Sequence, residues 1–209
     1  MPKSLAPAKR AGKKLRKKPP VRMLPASQVP GAVRTMAAPS GTARFEAGKA
    51  LSVTAEKDPS RIYPHFDAIA ALLQSDCKIV RWNAMAILAA LAPVDRDGKL
   101  ESLLDTYLAF IGGHNLISAA NTIRAAGKIG LARPHLLDRI VPAVLAVEAA
   151  VYETPECRNV AIGHVLDTFS ELGPGVCRRT EVAEFIRRQR TNTRDAVARR
   201  AERMAADLL

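Results

Sequence analysis

Residues 78–93 read KIVRWNAMAILAALAP. Within this stretch Arg81 is followed three places on by Ala84 and seven places on by Leu88, and the run closes on Pro93, shortly after Leu91. Ala84, Ile87, Leu88 and Leu91 keep the i, i+3, i+4, i+7 spacing of a helix with one buried stripe. The same Arg-x-x-apolar pattern, with a second apolar residue at +7, returns at Arg44 (Ala47, Leu51), Arg158 (Ala161, Val165) and Arg194 (Val197, Ala201). Ser118 fills the slot between the second and third arginines, so the steps are 37, 37, 40 and 36 residues. Pro59, Pro93, Pro134 and Pro174 keep nearly the same interval at segment ends. Self-similarity at about 40 residues predicts stacked helix pairs, each too thin to bury its own apolar face.

Outward from this stretch the same periodicity predicts a helix over 42–57, with Phe45, Gly48, Leu51 and Ala55 on one stripe and no helical partner upstream. Four antiparallel pairs follow, over 61–74 with 78–92, 100–111 with 115–132, 135–153 with 154–172, and 180–190 with 193–208. Thr154-Pro155-Glu156 offers an N-cap, a proline at the first helical position and an acid near the positive end of the dipole. The helix over 115–132 presents Ala119, Ala126, Gly127 and Gly130, a face small enough for close approach by a neighbour. Arg187, Arg188, Arg190, Arg199, Arg200 and Arg203 crowd the last pair, as a charged terminal cap requires.

Charge divides the chain into a tail and a body. Residues 1–40 hold ten of the 32 basic residues, none of the 20 acidic ones and seven of the 14 prolines. They are expected to form a disordered arm, and residues 41–209 the folded domain. Aromatic residues make up only 4% of the chain, which suits helices packed through Ala, Leu, Ile and Val. Cys77, Cys157 and Cys177 are widely spaced without CxxC or Cys/His clustering, so neither a disulfide framework nor a zinc site is expected. No apolar run approaches 18 residues, and the positive N-terminus lacks a following apolar stretch. Membrane spanning and export are therefore not expected, and a cytoplasmic location is, or a nuclear one in a eukaryote.

These marks resemble the HEAT and armadillo-like family of α-solenoids, over about 165 of the 209 residues. The resemblance rests on the helix-pair period, the Val80-Arg81-x-x-Ala84 opening of the second helix and the proline endings. It implies an all-α stack of about four antiparallel pairs preceded by one lone helix, with a curved inner face that binds a partner protein, less often nucleic acid. The repeat-register arginines Arg44, Arg81, Arg158 and Arg194 would then line one edge and pair with acids of neighbouring repeats. HEAT-like DNA glycosylases use several tryptophans and a catalytic Asp; here Trp82 is the only Trp.

The densest charge run is Lys9, Arg10, Lys13, Lys14, Arg16, Lys17, Lys18 and Arg22. Such a run attracts polyanions through phosphate neutralisation, without sequence readout and without aromatic residues for base stacking. His65, His114, His135 and His164 repeat no metal-ligand spacing, and no nucleophile–base constellation can be placed. The expected function is thus a non-enzymatic scaffold, with no cofactor, metal or catalytic residue, that binds a protein partner and uses the arm as a tether. The alternative is a nucleic-acid-binding protein that contacts phosphates through the arm and the arginine-rich last pair. Residues 41–177 carry 13 basic and 15 acidic residues, a net of −2, which disfavours a duplex lying along the whole stack.

Overall fold

The structure is a computed structural model that describes residues 21–207. Among these residues every regular element is helical. A 3-10 turn at Ala26–Gln28 leads into α1 (Val29–Met36), which packs along α2 (Ala43–Lys57). The second pair is α3 (Pro59–Ile62) and α4 (Phe66–Ala71) against α5 (Lys78–Leu91). α6 (Lys99–Leu108) then pairs with α7 (Leu116–Ala132), and α8 (Leu137–Leu145), packed on α7, leads through a 3-10 turn at Ala146–Ala149 that touches α9 (Pro155–Leu172). Last come α10 (Pro174–Cys177) and α11 (Thr180–Gln189) against α12 (Asp195–Ala206).

The helix starts follow from local chemistry. Thr154 accepts from the Cys157 amide at 3.1 Å, with Pro155 at the first position of α9. Asn115 accepts from the Ser118 amide at 3.0 Å to open α7. The buried Asp95 carboxylate takes the Lys99 and Leu100 amides at 3.1 and 2.8 Å, and Tyr63 donates to it at 2.6 Å. Burial first, and then that proton-donating bond, push the Tyr63 phenol up to about 12. α9 ends where Gly173 takes φ +89°, a left-handed turn that a side chain would strain.

Three readings of the sequence need correction. The helix at 43–57 is not lone and the folded part does not start at 41: α1 supplies its partner, with Val29, Val33 and Met36 buried against it. Three aliphatic side chains at i, i+4, i+7 were outweighed by the surrounding proline and charge density. The helix expected over 61–74 is broken at Tyr63–His65 and again at Leu72–Gln74 by 3-10 turns, the first containing Pro64. Pro59, Pro134 and Pro174 open these short leading turns instead of merely closing the preceding helix. Finally, the expected helix 135–153 stops at Leu145, one turn past Pro142, and its 3-10 extension ends at Ala149. Ala150 is extended, Val151 is 66% exposed instead of on the buried stripe, and Tyr152 is buried, donating to the Ile111 carbonyl at 2.7 Å.

The long second helices α2, α5, α7, α9 and α12 lie side by side, each packed on the next. Small residues set their separation. A Cβ on Gly48 would come within 2.6 Å of Asn83 Nδ2, and one on Gly127 within 2.8 Å of Thr168 Cγ2. The leading helices α4, α6, α8 and α11 form a second, looser layer tied by exposed ion pairs at a regular interval. Lys99 meets Asp67 at 2.6 Å, Arg139 meets Asp105 at 2.8 Å, and Arg179 meets Asp138 at 2.8 Å. One contiguous apolar core runs between the two layers from Val29 to Ala201.

Candidate functional site

The repeat-register arginines sit at the starts of second helices, but among the described residues only one makes the expected pair. Arg194 bonds Glu156 of the preceding repeat. Arg44 donates to the Pro39 carbonyl at 3.0 Å and stacks 5.0 Å from the Phe45 ring centroid. Arg81 lies 5.5 Å over Phe110, and Arg158 is half-buried in the first turn of α9. The Nε atoms of Arg44 and Arg81 are buried without hydrogen-bond partners. The acid ladder foreseen for these arginines is built instead by Lys99, Arg139 and Arg179, spaced 40 residues apart in the leading helices. Of the basic run, Lys9, Arg10, Lys13, Lys14, Arg16, Lys17 and Lys18 lie outside the described residues, and Arg22 is exposed.

The surface that sequence reasoning missed is the open face of the second-helix layer. Lys128 on α7 bonds Glu56 on α2 at 3.0 Å, reaching over the intervening α5. Neighbouring helix axes lie about 8–10 Å apart, so α2 and α7 stand roughly twice that from each other. Their side chains meet above α5, which presents the small, exposed Ala86 on this face. The face is therefore the floor of a groove. One hollow in it, of about 280 Å³, is lined by Trp82, Ala86, Asn121, Arg124, Ala125 and Lys128. A larger notch of about 660 Å³, lined by Arg44, Asp76 and Cys77 among others, runs from the end of α1 to the start of α5.

Trp82 is fixed in the hollow. Its indole Nε1 donates to Ser118 Oγ at 2.9 Å, and that hydroxyl donates in turn to Asn115 Oδ1 at 3.1 Å. Ser118, which reads in sequence as a gap in the arginine series, is thus the anchor of the single tryptophan. Ser118→Ala should cost about 1 kcal/mol of stability and free the indole, read as a shift in Trp82 fluorescence with a small fall in Tm.

Two large aliphatic side chains stand in solvent near the starts of the same helices, each the second residue of its helix: Ile79 on α5 is 43% exposed and Ile117 on α7 50%. One to two turns along α7, Arg124 donates to Asn121 Oδ1 at 2.9 Å and to the Ala120 carbonyl at 3.3 Å, with no carboxylate partner among the described residues. Further along, Arg200 bonds Asp167 and the Gly163 carbonyl. Half-buried His164 lies among these groups. Burial first, then the charge of Arg124, and to a lesser degree that of Arg200, hold its imidazole below its ordinary value, against the opposing pull of Asp167. The signal in sequence is the helical row opposite the buried stripe, Ile79, Trp82, Ala86 on α5 and Ile117, Asn121, Arg124, Lys128 on α7.

In the last pair most arginines are occupied. Arg179, Arg188, Arg190, Arg194 and Arg200 bond Asp138, Glu148, Glu202, Glu156 and Asp167 in turn, and Arg199 faces Asp195 at 3.8 Å. Cys77, Cys157 and Cys177 are free and half-buried. Cys177 donates to the Phe169 carbonyl at 3.3 Å, and burial raises its pKa. Among the described residues, no three His, Cys, Asp or Glu side chains gather as a metal site, and no helix is long and apolar enough to cross a membrane.

No protein-family model matches the chain, and no curated protein matches it. Solved structures do. A designed armadillo repeat protein in complex with the peptide (KR)4 aligns with a TM-score of 0.61 at 12% identity, covering 88% of this chain and 82% of its own. An engineered protein from a structural genomics programme aligns with a TM-score of 0.53 at 18% identity, covering 88% and 84%. At such identities the agreement is one of backbone, and with the two helical layers and the 40-residue ladder it shows that this chain folds as an armadillo/HEAT-like α-solenoid.

Proposed function

We propose that the protein is a binding module whose second-helix groove holds a segment of a partner protein, with the basic run from Lys9 to Arg22 as an accessory tether. The observation that carries this reading is the groove floor itself: Ile79 and Ile117 remain in solvent while Ile87, Leu88 and Leu91 of α5 and Ile123 and Ile129 of α7 are buried. Exposed aliphatic residues on the same face as an immobilised aromatic ring are what a protein interface uses for its anchors. The designed armadillo protein of similar fold is itself described with a bound peptide.

The test is affinity capture from native extract with the full chain and with Ala86→Arg. Ala86 is exposed on the groove floor, so the larger side chain fills the groove without entering the core. A protein partner retained after nuclease treatment and lost with Ala86→Arg is expected. Partners unaffected by the substitution, or released by nuclease, would overturn the reading.

A further inference from the structure

The charge of the groove floor selects among partners. The groove's other cations beside the hollow are already answered: Lys128 by Glu56, and Arg200 by Asp167. Arg124 is held only by Asn121 and a carbonyl, so its charge is uncompensated and its guanidinium is positioned before any ligand arrives. Ile117 and Arg124 are seven residues apart on one helix, about 10.5 Å along its axis, with Trp82 and Ile79 alongside on α5.

Resting on the groove reading above, we propose that the partner segment is acidic and aliphatic: an apolar side chain seats on Ile79, Ile117 and the Trp82 ring, and a carboxylate further along the segment pairs with Arg124. Two features favour this over a basic segment. A basic side chain in the hollow would face Arg124 and Lys128 in a site from which water is partly excluded, where like charges cost most. The amide of Asn121 points its oxygen at Arg124, which leaves its Nδ2 donors for a carbonyl or a carboxylate. The polarity is opposite to that of the (KR)4 peptide carried by the designed armadillo protein.

The chain provides its own reporter, since Trp82 is the only tryptophan. Full-length protein is titrated at low salt with two tryptophan-free peptides, one alternating Leu and Glu, the other alternating Leu and Lys. Indole fluorescence and the Trp82 Nε1–H resonance are followed. The Leu/Glu peptide should perturb both signals and bind at least about tenfold more tightly than the Leu/Lys peptide, a ratio equal to about 1.4 kcal/mol. Arg124→Glu, an exposed substitution checked for unchanged circular dichroism, should reverse that preference. Tighter binding by the Leu/Lys peptide, with the indole perturbed, would overturn the acidic assignment and leave the groove standing. No perturbation of Trp82 by either peptide, at any concentration up to the millimolar range, would overturn both.

Discussion

Met36→Ala should lower stability by about 3 kcal/mol, although its position lies among residues whose composition is that of a tail. Met36 is fully buried at the C-terminal end of α1 and belongs to the continuous core with Val29, Val33 and Leu51. For a chain of this length the loss corresponds to a fall in Tm of about 6–12 °C. Truncation distinguishes this from a general effect of shortening. Starting the chain at residue 21 removes none of these contacts and should leave Tm unchanged. Starting it at 41 deletes α1 and with it the Leu24 amide bond to Thr54 Oγ1 at 2.9 Å and the Arg61 bond to the Leu24 carbonyl at 2.7 Å. That truncation should cost at least as much as Met36→Ala. Equal melting of the two truncated chains would show that α1 contributes nothing to the fold.

Gly127→Val should be comparably destabilising, by about 3 kcal/mol. The first added carbon would stand 2.8 Å from Thr168 Cγ2, a buried β-branched side chain whose hydroxyl is tied to the Ile123 carbonyl at 3.4 Å. As a β-branched residue Thr168 has few rotamers to retreat into, and turning its methyl away also turns the hydroxyl that makes that contact. The backbones of α7 and α9 must then separate, which opens the groove at its centre. Gly163→Ala is the control. Its Cβ would meet Val197 Cγ2 at 3.4 Å, an ordinary contact, and the gain in helix propensity of about 1 kcal/mol relative to Gly should dominate. Urea unfolding of the two variants should therefore move in opposite directions. A stable Gly127→Val protein would show that the helices are not in the close contact described.

Which parts of this were legible in the sequence follows from how strongly local chemistry speaks. The second helices read correctly because each has an unbroken apolar stripe, as in Ala84, Ile87, Leu88 and Leu91, and a capping signal such as Thr154-Pro155. The leading helices read less well, since Pro64 and Pro142 interrupt them and let 3-10 turns complete the span. α1 was hidden because three buried side chains are a weak pattern beside ten positive charges. The groove was illegible for a different reason. Its residues are defined by what they do not bury, and Ile79 or Ile117 cannot be told from core until the partner helices are placed. Ser118 illustrates the point. Its meaning depends on Trp82, 36 residues away, and no local rule connects the two.

The two layers of the stack also differ in how they can deform. The second-helix layer is joined by near-backbone contacts at Gly48 and Gly127, and close-packed atoms resist both compression and extension. The leading-helix layer is joined by exposed ion pairs at Lys99, Arg139 and Arg179, which contribute little each and are weakened by salt. A rod built this way has its neutral axis at the groove floor: it flexes by stretching its outer skin while the inner one keeps its length. The distance between Ile79 and Ile117 is then conserved as the whole curves or straightens, and a ligand seated there holds its footing on a spring.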